Sequence, residues 1–269
     1  MRKFLLALTL WPILANAGMT SGQGLPLLQQ DLIGISYPTK QRGHIFGRAF
    51  NVNNSRVDLW EGPTPTYVFP AAPQQMLVSS TSANDSATGT GARRVRIQYL
   101  DSNYTQQYEA IILNGTTPVP TVATNILRIN MMFVTSAGSN EAAVGAVSLT
   151  GMSGTTTYGY ISAGFNTARQ AVYTVPRSKT GYVTHWQSGS GSTASHFCQV
   201  DLRATSKEGI LTPGVFLVQD SMPSQNSGNI VSFPIPIPIP ETADVKLSAV
   251  CDTVNAAAVV VGGVTGWIE

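Results

Sequence analysis

Polar and apolar positions alternate along most of this chain, and the clearest run is Arg93-Arg94-Val95-Arg96-Ile97-Gln98-Tyr99. Period two is the signature of a half-buried strand, with Val95 and Ile97 on the core face and the arginines on the wet one. Asp101-Ser102-Asn103 turns the chain, residues 108–113 return it, and Asn114-Gly115 ends the return with a hairpin-type turn signal. Shorter runs at 66–69, 75–79, 126–134 and 143–149 complete a first set of strands. The Gly, Ser and Thr of residues 151–157 mark the expected boundary. Beyond it, runs at 158–162, 171–175, 182–186, 197–202, 215–218, 230–233, 245–250 and 257–264 have the spacing of a sandwich or jelly roll. No capped apolar stripe of helical period stands out. The pattern therefore predicts an all-β protein of two antiparallel β-sandwich or jelly-roll-like modules, at 51–152 and 153–269. Residues 18–50, punctuated by Gly22, Gly24, Pro26, Pro38, Gly43 and Gly47, read as an extended arm or linker.

One segment departs from simple alternation: Phe233-Pro234-Ile235-Pro236-Ile237-Pro238-Ile239-Pro240. In extended backbone alternate N–H groups aim to the same side, so the prolines remove every donor from one edge and leave those of the isoleucines on the other. Such a strand pairs on one side only, and its isoleucines share a face. It is expected to be an edge strand, either an interface rib between subunits or a semi-rigid rim loop.

Composition narrows the function. Charged residues are only 11% of the chain, against about 25% in an average soluble domain, and their place is taken by Thr, Ser, Asn, Gly and Val. A weakly charged polar surface suits groups that stay buried in an assembly. With Lys+Arg 16 and Asp+Glu 14 there is no field to steer nucleic acid or an anionic membrane. At the N-terminus, Arg2-Lys3, the apolar residues 4–14 and Ala15-Asn16-Ala17 make the three parts of a secretory signal, with cleavage expected after Ala17. The apolar run is too short to span a bilayer. The other reading of residues 1–17 is an apolar arm that anchors on a neighbouring subunit. Cys198 and Cys251 are the only cysteines. They are expected to pair if the chain is exported, and to be small buried hydrophobes if it is not.

Two groups of motifs carry a resemblance. The first is Ala171-Val172-Tyr173-Thr174-Val175-Pro176 followed by Lys179-Thr180-Gly181-Tyr182-Val183-Thr184-His185-Trp186, then Pro236-Ile237-Pro238-Ile239-Pro240-Glu241 with Ala243-Asp244-Val245, and a closing strand at 262–267. The second lies upstream: Gly89-Thr90-Gly91-Ala92-Arg93, Leu100-Asp101-Ser102-Asn103-Tyr104, Leu113-Asn114-Gly115-Thr116-Thr117-Pro118-Val119, Leu127-Arg128-Ile129-Asn130 and Ser136-Ala137-Gly138-Ser139. Together they resemble uncharacterised virion structural proteins of marine tailed bacteriophages, over about residues 50–269. The resemblance implies a decoration, cement, spike or fibre subunit that associates with capsid or tail proteins and with its own copies, by analogy as a trimer. It carries no catalytic signature. The signal-like leader, the two cysteines and Arg177-Ser178 depart from the family pattern. The leader keeps a second expectation open, an exported cell-surface or periplasmic binding protein.

The residues for chemistry are sparse. Three histidines, His44, His185 and His196, and no G-x-S-x-G elbow argue against a hydrolase triad. Ser188-Gly189-Ser190-Gly191-Ser192 reads as a turn between strands. His196 and Cys198 share a strand face near His185, but a fourth ligand is missing, so a half-buried histidine beside an apolar cysteine is the simpler reading. Asp201, Glu208, Asp220, Glu241, Asp244 and Asp252 show no spacing that singles out a glycosidase-like pair. Phosphate loops and calcium loops are absent. No enzyme activity, metal or cofactor is expected. The aromatic residues Trp60, Trp186, Trp267, Tyr99, Tyr104, Tyr158 and Tyr160 leave room for a sugar-binding platform, but most are expected in the core or an interface.

Overall fold

Alternation becomes strands throughout the computed structural model, which describes residues 40–192, 196–254 and 258–269 and holds no helix among them. The chain first lays down β1 (Gln41–Val52) and β2 (Val57–Asp58). It then builds seven strands: β3 (Met76–Ser80), β4 (Ala92–Asp101), β5 (Gln106–Ile112), β6 (Val119–Pro120), β7 (Ile126–Ala137), β8 (Val147–Gly151) and β9 (Thr157–Ile161). The remainder is β10 (Val172–Thr174), β11 (Gly181–Gly191), β12 (Cys198–Ala204), β13 (Ser206–Lys207), β14 (Ile210–Leu211), β15 (Leu217–Ser224), β16 (Gly228–Ile239), β17 (Asp244–Cys251) and β18 (Ala258–Ile268).

These strands form two sandwiches. One stacks the sheet β6-β3-β8-β9 against β5-β4-β7 over a core that includes Met76, Ile97, Ile129, Leu149 and Ile161. In β4 the expected face is realised: Val95, Ile97 and Tyr99 are buried while Arg94 and Arg96 are exposed. The other sandwich stacks β1-β18-β11-β16 on β10-β17-β12-β15, with Trp186, Leu202, Leu247 and Val260 between them. Numbered within that sandwich, the orders are 1-8-3-6 and 2-7-4-5, which is the jelly-roll winding of two Greek keys.

The first jelly-roll strand is β1, which pairs β18 from Gln41↔Ile268 to Val52↔Ala258. Residues 41–50 are therefore not an arm. Their glycines mislead because they serve close packing and not turns: a Cβ on Gly47 would run into the Leu59 carbonyl oxygen and the Ala171 amide. Residues 1–39, with the signal-like leader and the rest of the expected arm, lie outside the described residues.

The expected boundary at 151–157 is also displaced. Those residues are the turn of the β8–β9 hairpin, with Gly154 at φ 71 and Val147↔Ile161 paired, so 158–162 closes the first sandwich. That first sandwich is an insertion between the first two jelly-roll strands. Its exit and return run side by side as a neck: Trp60 bridges Gln170, Ala171 N donates to Leu59 O at 2.8 Å, and Glu61 N donates to Arg169 O at 3.2 Å. Glu61 clasps the neck, its buried carboxylate taking Arg48, Arg169 and the Ser162 hydroxyl.

The insertion also covers a sheet edge. The Asn130 amide donates to Thr174 O at 2.9 Å and accepts from Thr174 N at 2.8 Å, so a side chain stands in for a missing strand beside β10. Next to it Arg128 forks onto Asp244 at 3.0 and 3.3 Å, while the Thr174 hydroxyl donates to the same carboxylate at 2.5 Å. Phe69 stacks on Phe216 with centroids 5.8 Å apart.

Candidate functional site

Among the described residues β16 pairs as a strand with β11 alone and forms an edge of its sheet. Pro238 stands opposite Tyr182. A proline in such a pair has no N–H for its partner, so its nitrogen belongs on the open side and the ladder is carried by its neighbours. The isoleucines do not share one face. Ile239 is buried and Ile237 packs against the core, but Ile235 is 85% exposed. The register explains this: Val183 faces Ile237, yet two residues later His185 faces Ser232, so 233–236 bulge out opposite Thr184.

A second apolar feature lies on the connection from β12 to β15. The β13–β14 hairpin turns on Glu208 and Gly209, both at positive φ, and lifts Ile210 to 70% exposure. Leu211, Val215 and Val218 are exposed beside it, and the ridge is held in place by Lys207 Nζ donating to Val218 O at 3.0 Å and by Gln219 Nε2 donating to Ser206 O at 2.6 Å. Sequence reasoning missed this ridge. Its signal was Glu208-Gly209 flanked by Lys207 and Ile210, a turn pair between short extended dipeptides.

The outer face of the β1-β18-β11-β16 sheet sets residues in rows across the strands. His44, Thr265, His185 and Ser232 form one row. Burial lowers both imidazole pKa values below the ordinary 6.5, with Arg42 adding to the shift at His44, and His44 and Arg42 adding to it at His185. Tyr182 stacks on Trp267 at 5.3 Å and Lys40 sits 3.8 Å over the indole, which accounts for two of the aromatics. Trp186 is in the core with its Nε1 donating to Asp220 at 2.8 Å, and Trp60 packs edge-on to Tyr67.

Residues considered for chemistry are dispersed. Cys198 and Cys251 face each other on β12 and β17 and are bonded, closing a separation of 53 residues. His196 lies 3.4 Å from Asp252, whereas His185 sits in the row with His44. Ser188-Gly189-Ser190-Gly191 is not a turn but the last part of β11, which runs on to Gly191. The carboxylates are spent separately. Asp201, beside β15, takes Arg56, Gln199 and Ser221; Asp220 takes Trp186; Asp244 takes Arg128; Glu241 accepts from Ser178 N at 2.5 Å; and Glu208 occupies its turn. Asp201 and Asp220 project to opposite faces, since Asp201 pairs with Ser221 and Asp220 with the core residue Leu202. No cluster of three or more metal-ligating side chains occurs among the described residues.

Neither protein-family models nor curated proteins match this chain. Among solved structures, a chain of the "Structure of infectious bursal disease virus Gt strain" aligns over 91% of this chain and 81% of its own at 8% identity. Its TM-score is 0.15, a likeness that carries no argument.

Proposed function

We propose that the chain is a structural protein of a virus particle, a decoration or spike subunit on the surface of a tailed phage that acts by associating with its neighbours. The supporting observation is that Ile210, Leu211, Val215 and Val218 are exposed apolar side chains around the β13–β14 hairpin, which hydrogen bonds fix against β15, on a chain with few charges. The proline edge complements it, because it limits association to surfaces other than strand addition. The motif resemblance over residues 50–269 supports the same reading. Peptide mapping of purified particles, with copy number scaled to the major capsid protein, tests it. Tens to hundreds of copies are expected for a shell protein and a handful for a tail protein; particles without the chain refute the proposal.

The Cys198–Cys251 disulfide favours a second reading, an exported cell-surface or periplasmic binding protein, because such bonds persist in oxidising compartments. That reading requires a mature N-terminus at Gly18 on protein recovered outside the cytoplasm.

A further inference from the structure

A pocket of about 400 Å³ opens where β1 meets the loop that leads into the insertion. Between Ala49↔Val260 and Val52↔Ala258 the register slips, so Phe50 and Asn51 together oppose Val259 alone. The bulge sets Asn51 at φ 56, a left-handed conformation that asparagine tolerates well, and aims Phe50 out at 50% exposure. The Arg48 guanidinium lies 4.3 Å from the Phe50 ring centroid and is itself tied to Glu61, which restrains the ring.

The opposite wall is rigid. Asp58 N donates to Pro65 O at 2.8 Å, the Trp60 indole donates to Thr64 O at 2.8 Å, and Pro63 and Pro65 flank Thr64. Gly62 lies directly on the Trp60 ring, where no side chain fits.

The pocket holds no uncommitted charge. Asp58 accepts from Ser248, Lys246 and Tyr67 N at 2.7, 2.9 and 2.8 Å, and Glu61 is taken by Arg48, Arg169 and Ser162. What remains for a ligand is neutral: the Asn51 amide, the Ser55 hydroxyl and the N–H donors of Asn53, whose carbonyl oxygen already accepts from Ser55 N at 2.8 Å. Neutral amides and hydroxyls facing aromatic and proline surface match a ring with hydroxyls on its edge and C–H groups on its face. The volume falls within the roughly 300–1,000 Å³ of small-molecule sites.

We infer that this pocket binds a neutral pyranose unit of a glycan, with the sugar ring against Phe50 and its hydroxyls on Asn51, Asn53 and Ser55. The site is equally available to a particle surface protein and to an exported one, so the inference does not depend on the proposed function.

Saturation-transfer NMR of the full chain with glucose, galactose, mannose, rhamnose and N-acetylglucosamine tests it, with glucuronic and sialic acids as charged counterparts. At least one neutral sugar should receive transfer from Phe50 ring protons. Asn51→Gly keeps the left-handed backbone, and Phe50→Ala removes the platform; each should weaken binding about tenfold or more, as expected for one lost polar or stacking contact. Unchanged melting temperatures establish that the variants are folded. The inference is overturned if no neutral sugar receives transfer, if folded Asn51→Gly and Phe50→Ala both bind like the parent, or if the acids bind better than the neutral sugars.

Discussion

Asp85 shows how a single buried side chain can organise a loop. Its carboxylate accepts from the Ser80 hydroxyl at 2.5 Å and from the amides of Ala92, Val144 and Gly145 at 2.7, 2.9 and 2.8 Å. These partners come from three separated segments, so the acid ties together the ends of β3, β4 and β8. Asp85→Ala strands the buried amides of Ala92 and Gly145 and the half-buried amide of Val144, and hydrogen bonds to a charged group are worth about 1.5–3 kcal/mol each. A loss of about 3 kcal/mol or more in urea unfolding is expected, and a loss below 1 kcal/mol would contradict this role.

Titration gives a second expectation for individual residues. His44 and His185 have lowered pKa values in the fold, so the unfolded chain takes up their protons first as pH falls. Their contribution to stability is complete above about 6.5 and drains away below it. Asp201 behaves like other paired carboxylates: burial pushes its pKa up, but hydrogen bonds from Gln199, Ser221 and Arg56 outweigh it and leave the net value below 3.8. Its contribution is present above 3.8 and is lost in stronger acid. Melting temperature followed against pH should therefore fall in two windows. His44→Gln with His185→Gln should flatten the upper one, and Asp201→Asn the lower one; a profile unchanged by either set of substitutions would refute the assignment.

Among elements, three of the four edges of the jelly roll are managed differently. β10 is covered by Asn130, β1 meets Gln170 at Phe46, and β16 carries its prolines. Replacing Pro234, Pro236 and Pro238 with valine should restore amide donors to the β16 edge. Faster growth of light scattering on concentration is expected, with no loss of β signal in circular dichroism. Equal scattering from parent and variant would mean that the edge is protected by something else.

The same strands show what the sequence made legible. The two-residue period of β4 reports burial from Arg94 to Ile97, so those faces were readable, whereas Gln98 and Leu100 are buried against the alternation. The single-sided pairing expected from proline chemistry holds for Ile237, Pro238 and Ile239, whereas 233–236 leave the ladder, and the outward swing of Ile235 depends on a register shift against β11 that β16 alone does not encode. β1 was unreadable for a different reason. Gly43 and Gly47 look like turn residues locally, and only contact with Leu59 and Ala171 explains why Gly47 lacks a side chain. For the sugar pocket, Trp60 was noticeable as an aromatic, whereas Phe50 and Asn51 become significant only through a bulge against β18.

For the whole molecule, the order of modules along the chain is not their order in space. A boundary at residue 51 would split a jelly roll whose first strand is Gln41–Val52. A chain beginning at residue 51 should therefore expose the edge of β18 and the core beneath it, and lose the near-ultraviolet dichroism of Trp186 and the cooperative melting of that sandwich. A chain beginning at residue 40 should retain both. If the shorter chain melts like the longer one, β1 is dispensable and the discontinuous jelly roll is not the folding unit.

The neck between Leu59–Glu61 and Arg169–Ala171 has a wider consequence. Since the inserted sandwich leaves and returns through adjacent positions, the distance its ends must span is set by the neck and not by the size of what it carries. The jelly roll is thus a frame around a panel: another compact unit with neighbouring termini, joined at Glu61 and Arg169, would keep the winding of the frame only if it also covered the β10 edge and the Asp244 carboxylate that Asn130 and Arg128 now take.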